Sequence, residues 1–158
     1  MIVTSMLKHS RGIGLNGDLC VRDSEDMKLF KSLTLHRNIV MGRKTAESLP
    51  HALPDRANFV LTKDKSWSRE GFIPLSLHLP SDPVFIGGAE IFRLALPLVN
   101  TIHLSVFDRP DLEADVYLPA FEEDFELVDC LQFTNFTYNI FRRVKTRACH
   151  RSMPSKTY

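Results

Sequence analysis

The apolar positions of the chain follow two rhythms. The first is the short, nearly continuous run. "MIVTSML" (1–7), "NIVMG" (38–42), "ANFVLT" (57–62), "PVFIG" (83–87), "TIHLSVF" (101–107), "FELVDCLQF" (125–133) and "FTYNIFRRV" (136–144) are rich in β-branched and aromatic residues, and each predicts a strand. Several are apolar almost throughout, as strands covered on both faces are. The second rhythm is helical. Over residues 24–34, Leu29, Phe30 and Leu33 follow Asp26 at i+3, i+4 and i+7, so a carboxylate shares the apolar stripe of a helix. A short helix is expected at "TAESL" (45–49). Another is expected over "AEIFRLALPLV" (89–99), with Ile91, Leu94 and Ala95 on its apolar face and Pro97 ending or kinking it. The preceding stretch, 12–23, reads as a loop. Strands alternating with helices predict a layered α/β domain with a largely parallel sheet. The last two strands have no helix between them and predict an antiparallel pair. Residues 1–144 read as one domain. The tail 145–158, "KTRACHRSMPSKTY", is basic and patternless and reads as frayed or disordered.

Composition narrows the classes without choosing among them. A 44% hydrophobic, 25% charged chain of 158 residues builds a globular core without staples. With 20 Lys and Arg against 19 Asp and Glu, no general drive toward nucleic acid or membrane exists. Cys20, Cys130 and Cys149 are odd in number and far apart, which fits free thiols in a reducing compartment. The first residues are too polar for a signal peptide, and no apolar run approaches the ~20 residues of a membrane helix. A cytoplasmic protein is expected, with a monomer as the default. No cluster has metal-ligand spacing, so no metal is expected.

Two strand–glycine–helix junctions carry candidate chemistry. "NIVMGRKTAESL" ends a strand at Gly42 and opens a helix with Arg43, Lys44 and Thr45. "VFIGGAEIF" places Gly87-Gly88 between an apolar strand and a helix. Helix N-termini suit phosphate, and glycines let the backbone approach a ligand closely. Neither is G-x-G-x-x-G, and either alone also fits an ordinary tight connection. Lys63, after the third strand, is a further phosphate partner or a solvated lysine. Asp26 has two readings as well. It compensates the helix dipole in a first turn capped by Asp23 or Ser24. Alternatively it is partly desolvated among Leu29, Phe30 and Leu33, which raises its pKa and leaves it wanting a partner. A flat heterocycle with adjacent N–H donors is such a partner.

Taken in order, these segments resemble dihydrofolate reductase. The resemblance runs from about Met1 to Arg143 through "GIGLNGDL", "DSEDMKLFK", "NIVMGRKTAESL", "LPDRANFVLT", "VFIGGAEIF" and "IHLSVFDRPDLEADVYLP". It implies a three-layer dihydrofolate-reductase-like fold and reduction of 7,8-dihydrofolate to tetrahydrofolate by NADPH, in support of one-carbon and thymidylate metabolism. It makes Asp26 the acidic residue that holds the pterin through its 2-amino group and N3, and Phe30 the aromatic one turn later. Arg56, after "LP", matches the arginine that grips the glutamyl α-carboxylate. Leu49 and Leu53 match positions around the benzoyl ring, and Ser105 a hydroxyl bonded to the catalytic carboxylate. Thr4, Ser5, Met27 and Ile86 complete the substrate side. Gly42, Arg43, Lys44 and Thr45 match the first cofactor junction. Gly87, Gly88 and Ala89, with Glu90, Ile91 and Phe92 behind them, match the second, whose glycines commonly meet through a cis peptide. Thr62 and Lys63 match the surroundings of the adenosine 2′-phosphate, where positive charge favours NADPH over NADH, and Leu61 before them is a further cofactor-side residue. Met6, Ile13, Gly14 and Ile86 match positions near the nicotinamide. A flexible loop from Gly14 to Asp23, with Leu19 at its apolar tip, is implied to close over it, steadied by Asp115 and admitting the water that delivers a proton. Antifolates such as methotrexate or trimethoprim are implied ligands.

The chain departs from the family pattern in three places. Cys20-Val21 replaces Pro-Trp after the loop tip, Ala89 a third glycine, and Phe92 an aromatic hydroxyl. A pyrimidine reductase of the riboflavin pathway shares the general fold and cofactor but needs neither Asp26 nor Arg56. A non-catalytic folate- or NADPH-binding protein is the other alternative.

Overall fold

The computed structural model describes residues 1–145, so the expectation for the remainder of the tail lies outside the described residues. In chain order the strands are β1 (Ile2–Leu7), β2 (Gly12–Leu15), β3 (Asp18–Leu19), β4 (Asn38–Gly42), β5 (Ala57–Leu61), β6 (Phe72–Leu75), β7 (Val84–Gly87), β8 (Thr101–Phe107), β9 (Val116–Tyr117), β10 (Phe125–Gln132) and β11 (Thr137–Arg143). The helices are α1 (Ser24–Thr34), α2 (Arg43–Ser48) and α3 (Ala89–Ala95). Eight strands form one sheet in the order β10-β11-β8-β1-β7-β4-β5-β6. From β6 to β8 every pairing is parallel. β11 runs antiparallel to β8, and β10 antiparallel to β11. Among the described residues no helix is long and apolar enough to cross a membrane.

Strand alternation explains the layers. Ile39, Val40 and Met41 of β4 are all 0% exposed, so this strand is covered on both faces. Val3, Ile39, Met41, Val60 and Val84 point to one face and pack with Phe30 and Leu33 of α1 and Ala46 of α2. Ile2, Val40, Phe85, Ile102 and Leu104 point to the other and pack with Ile91, Phe92 and Ala95 of α3. Each such aliphatic side chain contributes roughly 1.5–3 kcal/mol by leaving water. The result is helix, sheet, helix.

Several expectations need correction. Leu94 is 59% exposed, and Phe92, 1% exposed, takes its place on the buried face of α3. The helix stops at Ala95, two residues before Pro97, as that ring demands. α2 begins at Arg43, as the glycine junction implied, and so extends two residues ahead of the short helix expected at 45–49. The stretch 12–23 is not simply a loop. Asn16 (φ 51) and Gly17 (φ 80) form a two-residue turn between β2 and β3, the backbone that Asn-Gly favours in hairpins. Leu19 therefore does not sit at the tip. It lies on the returning strand opposite Gly14, and the tip is Asn16-Gly17. β2 also pairs with β9, which makes a second, three-stranded sheet. β6 contains Pro74 and was not expected; as the edge strand it has, among the described residues, no further neighbour to which that residue would have to donate.

The topology also picks out a crevice. β4 leads into α2 on one face, while its neighbour β7 leads into α3 on the other. Where adjacent parallel strands depart to opposite faces, their carboxyl ends are held apart, and ligands of α/β proteins bind there. Gly42 ends β4 and Gly87 ends β7.

Candidate active site

The start of α1 sets the first functional group. Asp23 is the N-cap: its Oδ1 accepts from the Asp26 N–H at 3.0 Å, and its backbone is extended (φ −138°, ψ 132°). That cap fixes where Asp26 stands, in the first helical turn, half-buried on the flank carrying Leu29, Phe30 and Leu33. Burial pushes the Asp26 carboxyl above its ordinary value; the nearby Ser105 hydroxyl of β8 works against the shift, and the Asp23 charge adds a smaller push. No ion pair among the described residues includes Asp26. Both readings of this residue are thus realised: it is a first-turn acid, and it is desolvated without a cation.

A guanidinium stands along the same helix. Arg56 Nη1 donates to Thr34 Oγ1 at 3.0 Å, and its Nε to the Pro54 carbonyl at 2.9 Å. Thr34 is fully buried near the end of α1 and donates to the Phe30 carbonyl at 2.8 Å. The Arg56 fork is therefore aimed by α1 and by its own loop, while no carboxylate among the described residues pairs with it. Phe30, Leu49, Leu53 and Ile86, all half-buried, belong to one apolar cluster. Thr4 and Ser5 are half-buried on β1, with Ser5 level with Ser105 in the pairing. Met27 is 54% exposed on the turn that carries Asp26.

The two glycine junctions meet. A Cβ on Gly42 would lie 3.1 Å from Ile91 of α3, and one on Gly88 would lie 3.7 Å from Thr45 Oγ1 of α2. Gly87-Gly88 is a cis peptide, and Gly87 has φ 129°, a conformation that essentially only glycine adopts. A Cβ on Gly87 would lie 3.5 Å from the Phe92 ring, so Phe92 backs this junction as Ile91 backs Gly42. Neither α2 nor α3 has a side-chain cap on its first turn. Uncapped helix N–H groups, close glycines and the exposed cations Arg43, Lys44 and Lys63 make a donor set that fits a phosphorylated dinucleotide. Ala89 opens α3, and Glu90 puts a carboxylate in its first turn. Leu61 and Thr62, half-buried, end β5 beside the first junction.

The hairpin covers a third side. Ile13 is buried and Met6 packs with it. Asp115 N–H donates to the Gly14 carbonyl at 2.9 Å, and Asp115 Oδ2 accepts from Asn16 N–H at 3.0 Å, so Asp115 does tie this segment down. Leu19 is 51% exposed. Cys20 and Val21 pack with Leu29, Leu33 and Phe107, so the unusual dipeptide is absorbed as apolar packing.

Four residues escaped the reading of the sequence. Asn58, 2% exposed in β5, bonds the Leu53 N–H and carbonyl at 2.9 Å and the Arg56 carbonyl at 3.0 Å, shaping the Arg56 loop. A lone amide inside an apolar run was its signal. Thr34 aims Arg56 and carries no local mark. Glu47 and Asp64 flank Arg43, at 3.6 and 3.9 Å, and only the fold brings Asp64 there.

The sequence model of the family described as dihydrofolate reductase matches residues 1–143. The chain is 31% identical over 147 residues to dihydrofolate reductase type A13 of Escherichia coli, covering 85% of this chain and 88% of that protein. It is 30% identical over 140 residues to dihydrofolate reductase of Staphylococcus aureus, covering 84% and 87%. The fold matches dihydrofolate reductase from Enterococcus faecalis, solved with NADP(H) and RAB-propyl, at a TM-score of 0.80 and 22% identity, over 91% of this chain and 95% of that one.

Proposed function

The chain belongs to the dihydrofolate reductase family, whose reaction is NADPH-dependent reduction of 7,8-dihydrofolate, and on that premise we propose how its own residues divide the work. Asp26 binds the pterin edge, its two oxygens facing the 2-amino group and N3. The observation that carries this assignment is a half-buried carboxylate raised by desolvation and left without a cation by the protein. Ser105 orients it. Phe30, Leu49, Leu53 and Ile86 hold the ring and the benzoyl group, and Arg56 takes the glutamyl carboxylate in a planar, charge-assisted contact.

The two glycine junctions would hold NADPH, which would supply the hydride. The uncapped first turns of α2 and α3 and the side chains of Arg43, Lys44 and Lys63 take its phosphates; Thr62 stands beside the last. Ile13 and Gly14 present backbone groups to the carboxamide. Asp26 favours positive charge developing on the pterin, because its ionised form lies in a partly desolvated site where charges act strongly. It sits on the N3 side, so the proton for N5 comes from water, admitted past Leu19 on the β2–β3 hairpin. Otherwise the chain's task is alignment and exclusion of water. The proposal extends to a cytoplasmic monomer whose cleft also accepts antifolates such as methotrexate; the unpaired Cys20 and Cys130 fit a reducing compartment.

Following NADPH oxidation on addition of dihydrofolate tests the reading. Turnover is expected; tight methotrexate binding without turnover would make the chain a binding protein. Arg56→Ala should weaken binding of the glutamyl-bearing substrate about 10- to 100-fold, as loss of a charged hydrogen-bonded pair does. A substrate lacking that carboxylate should be little affected, and equal losses for both would place Arg56 elsewhere.

A further inference from the structure

Arg43 is the cation best placed at the first junction, yet it is not free. Its Nη1 lies 3.9 Å from Asp64 Oδ2 and its Nε 3.6 Å from Glu47 Oε1. The Glu47 oxygen also accepts from the indole N–H of Trp67 at 3.1 Å, and as the i+4 neighbour on α2 it belongs to the helix surface. Asp64 is different. It approaches from the segment that carries Thr62 and Lys63, and the structure takes trouble to hold it. Its N–H donates to Thr62 Oγ1 at 3.1 Å. Its Oδ1 accepts from the Ser66 N–H at 2.9 Å and the Ser66 hydroxyl at 2.6 Å, and its carbonyl accepts from the Trp67 N–H at 3.2 Å. One oxygen is thus committed to the turn and the other is turned toward the guanidinium.

We propose that Asp64 is a specificity-determining residue: it stands 3.9 Å from the Arg43 guanidinium, and its negative charge opposes the 2′-phosphate of NADPH, so this chain discriminates less against NADH than its cations alone would dictate. The inference rests on the cofactor reading above. An anion seated on Arg43 lies well within a Debye length of Asp64, so the two negative charges repel with little screening at low salt. NADH has no 2′-phosphate and does not meet that repulsion. Asn at position 64 can keep its carbonyl oxygen on Ser66 while losing the charge, which separates the electrostatic role from the turn.

Isothermal titration calorimetry of the intact chain with NADPH and with NADH tests this. Asp64→Asn should tighten NADPH about three- to tenfold at low ionic strength, the size expected for removing one charge several Å from a phosphate at a protein surface. NADH should stay within about twofold, and the gain should shrink as salt rises. An unchanged NADPH-to-NADH ratio, or equal tightening of both, would overturn the proposal. Arg43→Gln separates the premise from the inference. NADPH binding untouched by that change removes the cofactor reading of this junction and the proposal with it, whereas equal NADPH affinity in wild type and Asp64→Asn removes the proposal alone.

Discussion

Asp23 and Asp26 stand three residues apart at the head of one helix, and their surroundings drive them in opposite directions. Asp23 faces outward, beside a cavity of about 480 Å³ that it lines with Asn135. A hydrogen bond from the Asn135 amide (2.9 Å) and one from the Asp26 N–H hold its carboxyl below the ordinary range. Asp26 faces inward, and burial holds it above that range. The outer carboxylate has its donors within the protein and is a structural cap. The inner one pairs with no cation among the described residues and carries a cost of desolvation. Opposed environments for neighbouring acids commonly separate their roles.

The contrast can be broken at several points. The largest effect is expected from Asp26→Asn: kcat/KM for dihydrofolate at neutral pH should fall by about 10²- to 10⁴-fold with the fold intact by circular dichroism. Near-wild-type turnover would remove Asp26 from the chemistry. Next comes Ser105→Ala. Its hydroxyl favours the ionised Asp26, so without it the carboxyl rises further, and the midpoint of the kcat/KM pH profile tied to Asp26 should move to higher pH. A midpoint that falls would mean that Ser105 does not donate to Asp26.

Stability should split the pair by sign. Asp23→Ala loses an N-cap and should cost about 1 kcal/mol in urea denaturation at neutral pH. Because the folded Asp23 value is lowered, its contribution is present above the ordinary carboxylate value and is lost as pH falls through the folded value. Asp26 behaves in reverse. Its folded value is raised, so the stability it contributes is complete below the ordinary value and is lost as pH rises through the folded one. Asp26→Asn should therefore raise the midpoint of thermal unfolding at neutral pH, and the gain should vanish in acid. Destabilisation at neutral pH would show that interactions within the protein outweigh the cost of desolvating the carboxylate. The smallest effect is expected from Asn135→Ala, a few tenths of a kcal/mol for an exposed contact, with the Asp23 titration moving back up; an unmoved Asp23 would discount that bond.

The core strands and α1 were legible because their signals are local: continuous apolar runs for strands covered on both faces, and a helical stripe that holds Asp26 with Leu29, Phe30 and Leu33. Gly87-Gly88 was legible as a glycine pair between an apolar strand and a helix, and Gly87 takes a φ of 129° that favours glycine. Three errors have physical reasons. Asn16-Gly17 carried a hairpin signal that a loop reading of 12–23 passed over, and Leu19 was misplaced with it. Leu94 fits an apolar stripe by spacing, yet Phe92 won the buried face because α3 rests on the glycine junction. Asp64 reaches Arg43 only through the pairing of β4 with β5 and the turn beyond, a contact between residues 43 and 64 that no local pattern encodes.

The most direct test follows the Asp26 carboxyl carbon by NMR across pH, without ligand and with bound methotrexate, using Asp26→Asn to assign the signal. Without ligand the midpoint should lie above that of an ordinary aspartate and above that of Asp23; with ligand the carboxylate should stay ionised to markedly lower pH. A ligand-free midpoint at or below the ordinary value, or one that methotrexate leaves unmoved, would contradict the account.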